Sequence, residues 1–360
     1  MNTARTILLC GLLGLVAAAV ARAQAQPVYK VDPFWPKPLP NKWSMQQIVD
    51  IYVDKDDHIW VLTRPRDINN TQNYAALNPP TAECCVAPPT VIEFDLEGNV
   101  INSWDAKQGH GMMVDKEGNV WIGSDTLRKY NGKDGKLVAE IPRVPETQVP
   151  PGKYPGDSKL IVGGLEEVRA DEPAREIYIV DNYLNGRVLV YDIDSLAFKR
   201  GWGAYGHKLS EITTDDKDRE YKPNGPMPKE FRGHLTLNVS NDGLVYAADR
   251  MANRIDVTTK EGKFVKEFIM APWTGVGGST GGVMFSPDKA QKYLFISDLT
   301  NNHIWFLNRD DGKVLSTMGS MGQNAGQFYG VHMIATDSKG TNYTGEVFAG
   351  ERVQKYVPVK

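Results

Sequence analysis

Three histidines, two arginines and a tyrosine stand at matched places in this 360-residue chain, and their types could do chemistry together. His110, His234 and His332 each open a similar stretch: His110-Gly-Met-Met-Val-Asp, His234-Leu-Thr-Leu-Asn-Val and His332-Met-Ile-Ala-Thr-Asp. Three neutral imidazoles with an open fourth position are what a catalytic zinc needs. Arg64 and Arg250 beside such an ion would form a fork for a carboxylate-bearing substrate. Tyr183 in that positive field would have its pKa lowered, enough to act as general base. Plainer roles exist for each residue taken singly. A histidine can cap its strand and bind water, an arginine can pair with a nearby acid such as Asp249 or Asp67, and Tyr183 can be a rim aromatic.

The elements that must position these residues are short strands. From Gly233 to Arg250 the chain alternates apolar and polar residues, turns at Asn241-Asp242-Gly243, and alternates again. That is a β-hairpin with a histidine at its start and an arginine at its end, both at the same end of the hairpin. A Val-Asp-x-x-Gly-Asn-Val-Trp pattern recurs in six units, which start near Ile51, Met112, Val168, His234, Val283 and Met333. Each unit offers about four strands, too few to bury both faces alone, so radial packing into a six-bladed β-propeller is expected. Pro27 to Val31 could supply the strand that closes the ring, and an open sandwich is the alternative arrangement. The long insertions (Pro65 to Pro89, Arg143 to Gly163, Ala204 to Arg232, Ala271 to Gly282 and Gly319 to Gly330) should all lie on one face, making it the working face. The three histidines fall in the second, fourth and sixth units, so their rings should meet near the axis from three sides. Of the others, His58 belongs in a solvated turn, His303 on a third strand away from the axis, and His207 in a loop within reach of the site.

Composition narrows the partners. The net charge of −3 gives no case for nucleic acid or an anionic membrane. Residues 1–25 read as a secretory signal: Arg5, an apolar run from Ile7 to Val20, and small-residue cleavage sites near Ala23 or Ala25. The mature chain, 26–360, should be a single propeller, periplasmic or secreted, off the membrane and monomeric. Cleavage leaves Cys84 and Cys85, which could form a vicinal disulfide or remain thiols.

The constellation resembles the peptidyl-α-hydroxyglycine α-amidating lyase family, an NHL-repeat propeller with a three-histidine zinc site. The family's zinc histidines correspond to His110, His234 and His332. Its Ala-Asp-Arg after the second histidine appears as Ala248-Asp249-Arg250 at the same spacing, its Ser-Asp-Gly-Tyr as Val180-Asp181-Asn182-Tyr183, and its first-blade arginine as Arg64. The family's structural calcium uses an aspartate after the third histidine, where this chain has Met333, and two backbone carbonyls corresponding to Ile51 and Met112. Calcium is therefore doubtful here. The family's disulfides near the tyrosine and second-arginine blades are absent too, as is a copper-dependent hydroxylating domain.

The resemblance implies zinc-dependent cleavage of an α-hydroxyglycine-type C–N bond to give an amide and glyoxylate. Tyr183 would be the base, Arg64 and Arg250 the carboxylate clamp, and the Pro65 to Pro89 insertion a cover. The alternative from a different class is a non-catalytic NHL propeller that binds a peptide, glycan or protein. A metal-dependent hydrolase is a third reading, without carboxylate and amide ligands in register to support it.

Overall fold

The computed structural model describes residues 27–69, 72–145, 156–184, 186–213 and 215–359. The signal-peptide reading of residues 1–25 lies outside them. The described residues form six four-stranded antiparallel sheets arranged as a six-bladed β-propeller. Strand β1 (Tyr29–Asp32) pairs with the last strand of the chain, so the N-terminal segment closes the ring where expected. Blade one holds β2 (Ile48–Val53), β3 (Ile59–Thr63), β4 (Val91–Phe94) and β5 (Val100–Trp104). Blade two holds β6 (Gly111–Val114), β7 (Asn119–Gly123), β8 (Leu127–Asn131) and β9 (Leu137–Ile141). Blade three holds β10 (Leu165–Asp171), β11 (Glu176–Asp181), β12 (Arg187–Asp192) and β13 (Phe198–Trp202). Blade four holds β14 (Leu235–Val239), β15 (Leu244–Asp249), β16 (Arg254–Thr259) and β17 (Phe264–Ile269). Blade five holds β18 (Val283–Phe285), β19 (Tyr293–Asp298), β20 (His303–Asn308) and β21 (Val314–Met318). Blade six holds β22 (Val331–Thr336), β23 (Asn342–Glu346), β24 (Val353–Pro358) and β1.

The repeated motif has a mechanical basis. Its aspartate closes the turn between the first two strands of a blade, and its tryptophan clamps that aspartate from the second strand. Asp115 accepts from the Asn119 backbone N–H at 2.8 Å and from Trp121 Nε1 at 2.9 Å. Asp54 does the same with His58 N–H and Trp60 Nε1, and Asp337 with Thr341 N–H and the Tyr343 hydroxyl. Second strands read as nearly continuous apolar runs because both faces are covered. In β11, Ile177 and Ile179 pack towards blade two while Tyr178 and Val180 pack towards blade four. Six such apolar clusters fill the six gaps between neighbouring blades, and each fully buried aliphatic side chain contributes roughly 1.5–3 kcal/mol.

At the other end of the blades, buried ion pairs anchor the long loops. Asp181, at the end of β11, accepts from the Val162 and Gly163 backbone N–H groups and pairs with Arg187 at 2.7 Å. Asp249, at the end of β15, takes Arg232 and Gly233 N–H and pairs with Arg254 at 3.0 Å. Both pairs are fully buried. Arg187→Leu would strand the Asp181 carboxylate, and unfolding in urea should show a loss of roughly 3–5 kcal/mol. A loss below about 1 kcal/mol would mean the latch is not what holds this loop.

Candidate active site

All six residues singled out by chemistry line one pocket of about 190 Å³ on the loop-bearing face: Arg64, His110, Tyr183, His234, Arg250 and His332. Glu166, Leu299, Val347 and Phe348 complete its wall. His110 stands just before β6, where Gly111 lies against blade three so closely that a Cβ would meet the Glu166 carbonyl at 2.8 Å. That close approach lets the His110 ring reach the same carbonyl. His234 precedes β14 with φ +55° and Tyr183 follows β11 with φ +63°. Left-handed backbone is uncommon for such residues, and it concentrates at functional sites.

His332 departs slightly from expectation. It is the second residue of β22 rather than the one before it, and it is the extra residue of a β-bulge between Val331 and Met333. Glu166 sits at an equivalent bulge in β10, between Leu165 and Glu167. Bulges re-aim side chains next to active sites, and here both bulged residues line the pocket.

Each imidazole is held through Nδ1. His110 Nδ1 lies 3.2 Å from the Glu166 carbonyl, His332 Nδ1 3.1 Å from the Val49 carbonyl, and His234 Nδ1 2.7 Å from Glu166 Oε1. A carbonyl can only accept, so Nδ1 of His110 and of His332 carries the hydrogen. Burial lowers the His110 pKa to about 4, with Arg64 and Arg250 adding to the effect and Glu166 opposing it. Burial, helped by His110 and the two arginines, takes His332 well below the usual imidazole value. Both rings are therefore neutral with Nε2 lone pairs free, the form in which histidine binds a metal ion. In metal-free protein, NMR should find both rings as the Nδ1–H tautomer down to pH 5. A ring that gains its second proton near pH 6.5 would contradict this burial argument.

Glu166 is the residue sequence reasoning missed. Its Oε1 accepts from His234 and from the Tyr183 hydroxyl at 2.6 Å, and its Oε2 accepts from Asn182 Nδ2 at 2.6 Å. Asn182 in turn accepts the His234 backbone N–H at 3.0 Å. Burial pushes the Glu166 carboxyl up, but the His234 hydrogen bond and the fields of His110, His234 and Arg250 outweigh it and hold it at about 2. The same carboxylate also acts on Tyr183, against the field of the two arginines. Burial first, then the Glu166 charge and hydrogen bond, raise the phenol far above its usual value, and Arg64 and Arg250 only partly offset them. Without a metal ion, Tyr183 keeps its proton and donates it to Glu166.

The arginines are not used up by neighbouring acids. Asp249 pairs with Arg254 rather than Arg250, and Asp67 lies 3.7 Å from Arg66. Among the described residues, the Nε atoms of Arg64 and Arg250 are buried without a hydrogen-bond partner, and Arg64 Nη1 makes one long bond of 3.4 Å to Gln47. Two such guanidiniums call for an anion.

As a metal site, the donor chemistry fits and the spacing is loose. Nitrogens around one tetrahedral zinc lie about 3.3 Å apart. Among the described residues, the set of three His, Cys, Asp or Glu ligand atoms all within 4.8 Å of one another is Asp54, His58 and Glu93, not the three histidines. The His110 and His332 ring centres are 4.9 Å apart, as two imidazoles on one tetrahedral ion would be, so the looseness lies in the ligand atoms of the trio and not in the approach of these two rings. Asp54, His58 and Glu93 belong to the turn fastening of blade one, where His58 Nδ1 meets Glu93 at 2.7 Å. For calcium, the Met112 carbonyl accepts from Arg169 at 2.9 Å, and Arg169 also pairs with buried Glu167. A guanidinium therefore already occupies that carbonyl.

The remaining expectations fall outside the pocket. His207 faces Glu230 at 3.5 Å, and His303 on β20 packs edge-on against Trp305. The described residues of the insertion after Arg64 add no further lining residue. It reaches blade six, where Gln72 Nε2 donates to Glu351 at 2.7 Å. Cys84 and Cys85 within it are joined as a vicinal disulfide.

No protein-family profile matches the chain, and no curated protein matches it. Solved structures do. One is a structural-genomics protein of unknown function from Bacteroides thetaiotaomicron VPI-5482, 14% identical over 93% of this chain and 77% of that one, with a TM-score of 0.57. Another is a streptogramin B lyase, 13% identical over 92% of this chain and 98% of that one, with a TM-score of 0.51. At such identities the likeness establishes the shared propeller fold.

Proposed function

We propose that this propeller is an exported zinc-dependent lyase that cleaves an α-hydroxyglycine-type C–N bond, releasing an amide and glyoxylate. The observation that carries the reading is the pairing of three imidazoles, each tethered through Nδ1, with two guanidiniums that form no ion pair among the described residues, in one small pocket. A streptogramin B lyase shares the fold, so lyase chemistry is compatible with this scaffold, although fold alone does not assign it. His110, His234 and His332 would hold the zinc, which when bound polarises the substrate hydroxyl oxygen.

The chain's own groups account for the rest. Arg64 and Arg250 hold the carboxylate from blades one and four, on opposite sides of the pocket. Tyr183 accepts the hydroxyl proton as it hands its own to Glu166 Oε1, so the phenol never has to become a free phenolate. The O–H electron pair becomes the new C=O bond, and the C–N pair leaves with nitrogen. The same proton returns through Tyr183 to that nitrogen. One proton has moved from oxygen to nitrogen, and no co-reactant is consumed.

The looseness of the three-histidine spacing favours a second reading, a binding propeller for a carboxylate-bearing peptide, glycan or protein ligand. One experiment separates the two. Purified protein is assayed for zinc and for glyoxylate release from N-benzoyl-α-hydroxyglycine, before and after chelation and zinc restoration. The lyase reading expects about one zinc per chain and activity that is lost and regained. No zinc and no glyoxylate would leave the binding reading.

A further inference from the structure

The pocket has two unlike sides. Blades one to four contribute Arg64, His110, Glu166, Tyr183, His234 and Arg250, whereas blades five and six contribute Leu299, Val347 and Phe348 beside His332. We propose that this apolar side selects substrates whose leaving amide carries an apolar group, with Phe348 and Leu299 as the specificity-determining residues; this rests on the lyase reading above. Small-molecule sites usually measure roughly 300–1,000 Å³, so a cavity of about 190 Å³ admits the acid-bearing end and leaves the rest at the rim. Once the carboxylate lies between Arg64 and Arg250, the rim on the side of blades five and six is apolar.

Phe348 is unusual for a surface residue. The residue is 58% exposed where it lines the pocket, and its backbone is left-handed at φ +53°, a conformation that costs a non-glycine residue free energy. Val276, in the loop before β18, is 95% exposed. Its neighbour Gly277 packs against Thr300, the residue after Leu299. A charged or strongly polar N-substituent would lose water against these groups and find no partner among them. An apolar one would cover them, and one such contact is worth roughly tenfold or more in selectivity.

The test compares N-benzoyl- and N-acetyl-α-hydroxyglycine by kcat/KM of glyoxylate release. It also compares N-benzoylglycine and N-acetylglycine, which lack the reacting hydroxyl, by calorimetric binding. The native protein should favour the benzoyl member of each pair by roughly tenfold. Phe348→Ala and Leu299→Ala should each erase most of that preference while thermal melting shows them folded. Equal use and equal binding of the two members by the native protein would overturn the proposal, as would a preference untouched in both variants. If no glyoxylate forms but the binding preference exists and falls in the variants, the lyase reading fails and the apolar selection stands.

Discussion

His234→Ala is expected to abolish glyoxylate release, by more than roughly 10⁴-fold, and to take bound zinc with it. His234 links the two halves of the proposed machinery: its Nδ1 rests on Glu166 Oε1, which leaves its Nε2 to bind the ion. A carboxylate behind a ligating histidine raises its basicity and fixes its orientation, so losing this ring removes a ligand and frees Glu166. Two imidazoles and water are a weak zinc site, and the Lewis acid is needed in the step that breaks the C–N bond. The fold should survive, because the side chain is 37% exposed and lies outside the apolar clusters. His58→Ala, in a turn fastening far from the pocket, should retain zinc and activity and serves as the control. Turnover that persists in His234→Ala would refute the assignment. Zinc retained with turnover lost would move His234 from ligand to proton handling.

The fold was legible because a propeller repeats its evidence. Blades one, two and six carry the same aspartate and turn with a tryptophan or tyrosine clamping the aspartate, and blades four and five fasten the same turn with Ser240 and Ser286, so the hairpin could be read repeatedly even where blade three was irregular. His110, His234, Tyr183, Arg64 and Arg250 were legible because they sit at strand ends, whose position in a blade follows from the repeat. Glu166 was not. In Leu165-Glu166-Glu167 the alternation does not tell which acid faces the pocket. A bulge decides it, sending Glu166 to His234 and leaving Glu167 against Arg169. For Tyr183 the sequence reading counted the field of a zinc ion and two arginines but not that carboxylate. With no metal ion present, burial and Glu166 together outweigh Arg64 and Arg250.

Glu166→Gln tests whether that carboxylate handles the proton or merely fills space. With His110 and His332 neutral, the fixed charges of the pocket are two guanidiniums and one carboxylate, a net of +1 before His234 is counted; the substitution makes it +2. Substrate carboxylate should then bind no more weakly, and KM should hold or fall. Turnover should fall by roughly 10³-fold, within the 10²–10⁴ range for losing a positioned acid–base group. The amide cannot take the Tyr183 proton, and its NH₂ group faces a donor, Asn182 Nδ2, that Glu166 Oε2 now satisfies. Tyr183 supplies a second readout with a definite sign. Removing Glu166 deletes two of the causes that raise the phenol and leaves Arg64 and Arg250 lowering it, so its titration followed by ultraviolet absorbance should move to lower pH. A role limited to space-filling would leave both turnover and this titration within a few-fold of the native protein. A kcat loss without a rise in KM, accompanied by a downward shift of the phenol, is the signature of a carboxylate that moves the proton between oxygen and nitrogen.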